Sequence, residues 1–434
     1  MAHERIETSS PVGAATVGGP GVLLAEDVVE AFIHEQLSAV SLDGRSVCML
    51  VPDATRSCPL PLLVRCVHSA LHPRVSRLTV LVALGTHAAM GAQGHGRHLG
   101  YHLGGLDETF PGMHVVDHAW WDPGSLVTVG TLNAAKMADL SNGMLDKDVP
   151  VRVNRAVVDH DVTLIVGPVF PHEVVGFSGG NKYLFPGVSG QELIDVSHWL
   201  GALITSADII GVRGTTPVRA LIDEAASMVP TERLALCVVN ASGSNGLHSL
   251  AFGEPDAAWR AAADVSAQTH IRYLDAPVRK VLSILPGKYD DMWTGAKGFY
   301  KVETVVADGG QVVIYAPHVK ELAVTHPAVA EIGYHCRDFY VKQWEHFKGY
   351  HWGDLAHSTH LRGAGTYNAL EGERCRVTVT LATGIPEKVV RSVNLDYLDP
   401  ASVDLAAWDD EKGTLVVRDA GEQLYKLSTD ATHG

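Results

Sequence analysis

Residues 46–85 read SVCMLVPDATRSCPLPLLVRCVHSALHPRVSRLTVLVALG, and this stretch decides the fold. Its opening, SVCMLVP, is a short apolar run suited to a strand. LPLLVRCVHSALH follows with apolar residues at helical spacing, and SRLTVLVALG closes the unit as a second buried strand. Strand, helix and strand in this order, with strands apolar on successive residues, is the pattern of a parallel sheet covered on both faces. Upstream, AEDVVEAFIHEQLSAV (25–40) reads as a helix whose acidic first turn suits the helix dipole. Downstream, DVTLIVGP (161–168) is another strand. The logic then repeats: RKVLSILPG (279–287) is a strand, KGFYKVETVVADGG (297–310) a helical stretch and QVVIYAP (311–317) a strand.

At 434 residues the chain exceeds one ordinary hydrophobic core. The expected class is therefore α/β in two domains, each a Rossmann-like, mainly parallel sheet with helices on both faces, and with the active site in the interdomain cleft. Polar, glycine-containing sequence at NASGSNGLHS (240–249) and THIRYLDAP (269–277) separates the halves. This sets a flexible N-terminal tail over 1–24, a first α/β domain over 25–272, a second over 273–410 and a C-terminal segment over 411–434. The run KGTLVVRD in that last segment leaves a return to the first domain open.

Composition narrows the function. Hydrophobic residues make up 46% and charged residues 19%, a globular mixture. The formal net charge is -15, and no Lys/Arg run reverses that field locally, which argues against a nucleic-acid partner. No apolar run approaches the roughly 18 residues of a membrane span. The start, MAHERIETSSPVGAATVGGPG, lacks the apolar stretch of a secretory signal. Cys48, Cys58, Cys66, Cys237, Cys336 and Cys375 form no C-x-x-C pair and read as free thiols. A cytoplasmic protein is expected.

In open α/β sheets ligands gather where strands end in loops, and four such segments carry the chemistry. VPDATRSCP (51–59) offers Asp53 and Thr55 beside Arg56, whose planar fork suits a carboxylate or phosphate; an N-capped helix with a surface arginine reads equally well. ALGTHAAM (83–90) places His87 at a strand end, where an imidazole can act as a general base or simply be structural. GPVFPHEVVGFSGGNKYLFPGVSGQELIDVSHWLG (167–201) gathers His172, Gly179, Gly180, Lys182 and His198. Its paired glycines let backbone N–H groups approach a phosphate, yet the order is not that of a Walker A loop. Lys182 among glycine and apolar residues is a candidate for covalent chemistry, and His198 for a borderline metal such as nickel, zinc or copper. The fourth segment, LPGKYDDMWTGAKGFYKVE (285–303), sets Trp293, Thr294 and Lys297 at a helix start, as an aromatic wall with an ammonium or as ordinary amphipathic packing.

Together these segments resemble the nickel-dependent lactate racemase family, from Asp53 to the ADGGQVVIYAP run, most strongly in PHEVVGFSGGNKYLFPG with the trailing His198. The resemblance implies a nickel pincer nucleotide, a pyridinium mononucleotide that binds nickel through a ring carbon and two sulfurs and joins a lysine through a thioamide. It assigns Lys182 to that linkage, Asp53, Thr55, Gly179 and Gly180 to cofactor binding, and His198 to the metal. His87 and His172 match the two acid/base histidines, and Arg56 and Lys297 match substrate contacts. The implied reaction inverts carbon 2 of a 2-hydroxy acid by hydride transfer through a 2-keto acid, and the implied partners are cofactor-biosynthesis and nickel-insertion proteins. Trp293 and Thr294 stand where the lactate-specific pattern has a Tyr-Gln pair, which points to a larger substrate than lactate, aromatic or polyhydroxylated. His357, Ser358, His360 and Arg362 in GDLAHSTHLRGAGTY (353–367) are either further substrate contacts or loop scaffold. The rival readings are a nicotinamide-dependent dehydrogenase, which lacks its G-x-G-x-x-G turn here, and a non-catalytic hydroxy-acid or nucleotide binder.

Overall fold

The computed structural model describes residues 13–433. The chain divides into two units, one of residues 13–170, Phe177–Ile194 and Arg219–Thr269, the other of Pro171–Gly176, Asp195–Val218 and everything from His270 on.

In the first unit β1 (Ala14–Gly18), β2 (Ser46–Pro52), β3 (Arg77–Ala83), β4 (Met113–Asp117), β5 (Val162–Pro168), β6 (Glu232–Asn240) and β7 (Leu247–Gly253) form one sheet. Its order is β1-β7-β6-β5-β2-β3-β4. The strands from β4 across to β6 run parallel, while β7 and β1 close one edge antiparallel. Val47, Met49 and Val51 of β2 share a core with Leu78, Val80 and Val82 of β3 and with two helices, α1 (Glu26–Ser38) and α2 (Leu60–Leu71). Leu60, Leu63, Val64, Val67 and Leu71 supply the apolar stripe of α2, each worth about 1.5–3 kcal/mol when buried. The alternate residues Cys48, Leu50, Ile165 and Cys237 are also buried, so the sheet is covered on both faces. This explains why its strands read as unbroken apolar runs.

The second unit repeats the plan with a smaller sheet. β8 (Ile271–Leu274) is followed by β9 (Val278–Ile284), β10 (Val306–Ala316), β11 (Thr378–Thr383), β12 (Asp396–Tyr397), β13 (Thr414–Val417) and β14 (Leu424–Leu427). β9 to β13 make a wholly parallel sheet in the order β12-β11-β10-β9-β13, and β8 pairs with β14. In both sheets the strand order reverses once, between β2 and β5 in the first and between β9 and β13 in the second. Loops leaving the two strands at such a reversal part in opposite directions and open a crevice at the carboxyl edge.

The α/β class and the mainly parallel sheets expected from the sequence are present. Several boundaries differ. Residues 14–18 of the expected tail are β1, tied to β7 by backbone pairing, and residues 1–12 lie outside the described part. NASGSNGLHS is not a separator but the turn between β6 and β7. The segments 171–176 and 195–218, read as part of the first domain, group with the second unit. The C-terminal run pairs through β13 and β14 with β9 and β8, so it stays with the second unit. The helix expected over 297–310 stops at Tyr300; a 3-10 turn, Glu303–Val305, follows, and β10 begins at Val306. Among the described residues no helix is long and apolar enough to cross a membrane.

A buried carboxylate in the second unit gives a stability test. Asp354 lies in the first turn of α6 (Trp352–Thr359), and burial raises its pKa to about 6, with repulsion from Asp195 adding to the effect and His351 opposing it. A carboxyl raised in the folded state costs nothing while protonated and destabilises as pH rises through its folded value. Asp354→Asn should therefore match wild type near pH 4 and be more stable by about 1 kcal/mol at neutral pH. Thermal melts across that range check this; a constant gap at all pH values would refute it.

Candidate active site

The carboxyl edge of the first sheet gathers three of the four segments. Asp53 follows β2 and is 6% exposed. Its Oδ1 accepts from the Thr55 hydroxyl at 2.7 Å and the Thr55 N–H at 3.2 Å, while Oδ2 takes a short hydrogen bond from His87 Nδ1. Burial opposes its charge, but His87, Arg56 and the Thr55 hydroxyl outweigh burial and hold its carboxyl well below the usual range. His87 follows β3, and its backbone carbonyl accepts from the Trp120 indole at 2.9 Å. With Nδ1 committed to Asp53, Nε2 is the nitrogen left for chemistry. Asp53 and Thr55, assigned to the cofactor from the resemblance, are hydrogen-bonded to each other, and Asp53 also to His87.

Lys182 lies in a 3-10 turn, Gly180–Tyr183, after β5. The turn is entered through Gly179 at φ +85° and Gly180 at φ +56°, conformations open to glycine and strained for any side chain. Arg219 from α4 (Pro217–Ser227), 1% exposed, donates to the carbonyls of Phe177 and Gly179 at 2.5 and 3.3 Å and lies 4.1 Å over the Trp259 ring. Trp259, on α5 (Pro255–His270), donates to the Ser178 carbonyl at 2.9 Å. Gly85 donates to the Gly187 carbonyl at 2.9 Å, which ties the far side of the lysine turn to the strand end that carries His87. Burial pushes the Tyr183 phenol well up, and Arg56 and Asp53 both act on it, so the turn packs against the β2 loop. At the same edge Asn240 ends β6, 1% exposed, with neither amide atom partnered.

The second unit holds the other candidates. His172, 7% exposed, accepts the Val174 N–H at Nδ1 at 3.2 Å, and Glu173 Oε2 lies 3.2 Å from that same nitrogen. His198 is half-buried on α3 (Gln191–Ile204), whose Asp195 accepts from the Gly353 N–H at the start of α6. Lys297 follows β9; its Nζ donates to the Thr294 carbonyl at 3.3 Å and stands 5.4 Å from the Tyr289 ring centre. A Cβ on Gly421, in the loop after β13, would meet Lys297 Cβ at 3.0 Å, so this lysine occupies the reversal of the second sheet. Thr294 spends its hydroxyl on Asp291, which caps the turn.

Trp293 is not a free aromatic wall. His326 stacks on it at 3.6 Å and 4°, and His357 at 3.9 Å and 26°. At those distances two rings cannot share one face, so both faces of the indole are covered. His357, left open by the sequence, is therefore packed into this wall, and His360, also left open, meets His357 edge-on at 5.6 Å. Burial holds the His357 pKa well below its ordinary value and pushes His360 down to about 4, with Glu173 pulling His360 back up. Asp53 was singled out from the sequence but not as the partner of His87, while Glu173 beside His172 and the partner His326 were not singled out. Glu173 had a signal, being next to His172; His326 had none.

Among the described residues one set of three potential ligands converges, Cys336, Glu373 and Cys375. Glu373 already accepts from the Cys336 N–H, Asn394 and Arg362 and pairs with His335, which makes it a satisfied buried anion. His198 is in no such set.

The lactate racemase N-terminal domain matches residues 23–209. No curated protein sequence matches the chain. Among solved structures, a Thermotoga maritima protein determined as a structural genomics target is similar at a TM-score of 0.85 and 29% identity, over 94% of this chain and 100% of its own. The lactate racemase apoprotein of Thermoanaerobacterium thermosaccharolyticum gives 0.69 at 17% identity over 95% and 100%, a likeness of fold. Residues 23–209 thus match a lactate racemase N-terminal domain, and the chain shares the fold of the lactate racemase apoprotein over nearly its whole length.

Proposed function

We propose that the chain is a racemase or epimerase acting at carbon 2 of a 2-hydroxy acid, with a nickel pincer nucleotide tethered at Lys182. The observation that supports this most is the shared sheet edge: a lysine on a glycine turn and a carboxylate-backed histidine, braced by the Gly85–Gly187 bond at the strand reversal.

The residues present suit the cofactor. A nickel ion held by protein alone needs several converging ligands, and His198 has no such companions among the described residues. One histidine is enough for a metal whose other donors come with the nucleotide. Asn240 adds a buried amide with a donor and an acceptor unspent, which is rare in a folded protein and suits a polar ligand at this edge. Lys182 would hold the group, Gly179 and Gly180 would let its phosphate approach the backbone, and His198 would complete the nickel sphere. When bound, the group supplies an electrophilic carbon that accepts a hydride and returns it.

The chain's own residues do the rest. Arg56 binds the substrate carboxylate in a bidentate fork and Lys297 adds a second cation. His87 takes or gives the hydroxyl proton at Nε2, and His172 does the same for the opposite enantiomer, whose oxygen points elsewhere. Since Trp293 has no open face, an aromatic substrate gains no stacking partner there, and this favours a polyhydroxylated acid over an aromatic one.

The test is inversion without soluble nicotinamide. Protein co-produced with cofactor-making and nickel-inserting enzymes is given single enantiomers of 2-hydroxy acids deuterated at carbon 2, and products are resolved by chiral chromatography. The expected result is inversion with the deuterium kept at carbon 2. Complete wash-out of deuterium, or oxidation that depends on added nicotinamide, would overturn the proposal.

A further inference from the structure

We propose that Cys336 and Cys375 are a redox-active dithiol, closed to a disulfide by a low-molecular-weight disulfide that enters through a surface cavity at Cys375. Both cysteines lie within the second unit, and their chemistry is independent of the roles given to Lys182 and the histidines.

The hairpin of Gly365–Asn368 and Gly372–Cys375 brings the pair together. Cys375 stands opposite Gly365 across that hairpin, and Cys336 immediately precedes the helix Arg337–Lys342. Their sulfurs lie within 4.8 Å of each other. Gly365 permits the approach: a Cβ there would stand 2.9 Å from Cys336 Cβ and 3.1 Å from Cys375 Cα, so any larger residue would wedge the pair apart. Glu373 fixes the spacing, because it shares a strand with Cys375 and accepts from the Cys336 N–H. Rotation about the two Cα–Cβ bonds covers the remaining way to the about 2 Å of a disulfide.

Access and reactivity set this pair apart from the other cysteines. Cys375 is half-buried and lines an open cavity of about 390 Å³ together with Thr366, Arg374 and Arg376, whereas Cys336 is buried behind it. In the first unit Cys48, Cys58, Cys66 and Cys237 are all buried, and burial pushes Cys48 and Cys237 up to about 12 and Cys66 up to about 11, which keeps them inert. The Cys336 thiol moves the other way, because a hydrogen bond from Cys375 outweighs burial and the Glu373 charge. When the pair has lost one proton to water, Cys375 passes its own to Cys336, and the Cys375 thiolate attacks the entering disulfide RSSR. A Cys375–S–S–R bond forms and RS⁻ leaves. That RS⁻ takes the proton from Cys336, whose sulfur then attacks Cys375 Sγ, and a second RS⁻ leaves to be protonated by water. Two cysteine thiols are oxidised and one small disulfide is reduced to two thiols. The closed loop carries α6, and tying its ends together stabilises the second unit.

The test incubates reduced full-length protein with glutathione buffers of rising oxidised fraction, quenches with acid, alkylates the remaining thiols in denaturant and reads intact mass and peptide maps. Wild type should lose two hydrogens and yield one cross-linked peptide pair, Cys336 to Cys375, with the other four cysteines alkylated. Cys336→Ser should stop at one glutathione on Cys375, and Cys375→Ser should take up none. The oxidised wild type should melt about 5 °C or more above the reduced form, a shift absent from Cys336→Ser. No cross-link at any buffer ratio, a cross-link through another cysteine, or glutathione on Cys336 with Cys375 unmodified overturns the proposal. One zinc ion retained per reduced chain and lost in Cys336→Ser would make the cluster a metal site and overturns it too. If the serine variants do not fold, the wild-type map decides alone.

Discussion

Wild-type protein co-produced with the enzymes that build the nickel pincer nucleotide and insert nickel should carry a covalent adduct by intact mass, and Lys182→Ala should carry none and invert no substrate. The substitution is mild for the fold. The turn around Lys182 is held by its backbone, which donates to the Gly179 carbonyl at 3.3 Å and accepts from the Gly187 N–H at 3.2 Å, and an alanine keeps both bonds. Arg219 and Trp259 grip the neighbouring carbonyls whatever side chain occupies position 182. Circular dichroism and melting temperature should therefore match wild type, while turnover falls to background, a loss on the order of 10⁶-fold or more. An unmodified wild type under those conditions sinks the cofactor assignment, and an adduct that persists in Lys182→Ala moves the attachment elsewhere.

The architecture was legible because parallel sheets write themselves plainly in sequence. SVCMLVP and DVTLIVGP are buried on both faces, so their apolar runs are unbroken and mark neighbouring strands at the reversal. What failed to show was the path of the chain between units. His172 and His198 sit 10 and 16 residues from Lys182 in sequence, yet 171–176 and 195–218 group with the second unit. No local signal announces this, because each excursion is stabilised by partners far along the chain. The Pro171 carbonyl accepts from Lys301, the Leu203 carbonyl from Arg337, and the Gly353 N–H donates to Asp195. Such contacts are set by packing, and periodicity carries no trace of them.

The chemistry was legible by residue type and opaque in its pairings. Asp53 and Thr55 were visible as polar residues after a strand, but their commitment to His87 depends on β2 and β3 being adjacent and in register, Pro52 against Ala83. Trp293 was visible as a ring, while the two imidazoles that cover it come from 33 and 64 residues further on. A sequence pattern names the donors and acceptors; only the sheet order decides who meets whom.

That distinction fixes what the two proposed acid/base histidines should do when removed one at a time. His87→Ala and His172→Ala should each abolish inversion in both directions while the adduct on Lys182 remains, because the full reaction uses one group to take a proton and the other to give it back. The expected loss is about 10²–10⁴-fold in kcat for each. The partial reaction should separate them. A variant lacking one histidine can still deprotonate the enantiomer served by the other, so it should release a trace of 2-keto acid from that enantiomer and none from its mirror image. The other variant should show the reverse preference, read by trapping the keto acid with a hydrazine reagent. Alanine at 87 also leaves Asp53 buried with a lost partner, whereas Asn at that position keeps a donor near the carboxylate, so His87→Asn should be the more stable of the two and equally inactive. Identical enantiomer preference in the two histidine variants, or full activity in either, would remove the two-sided arrangement from the mechanism.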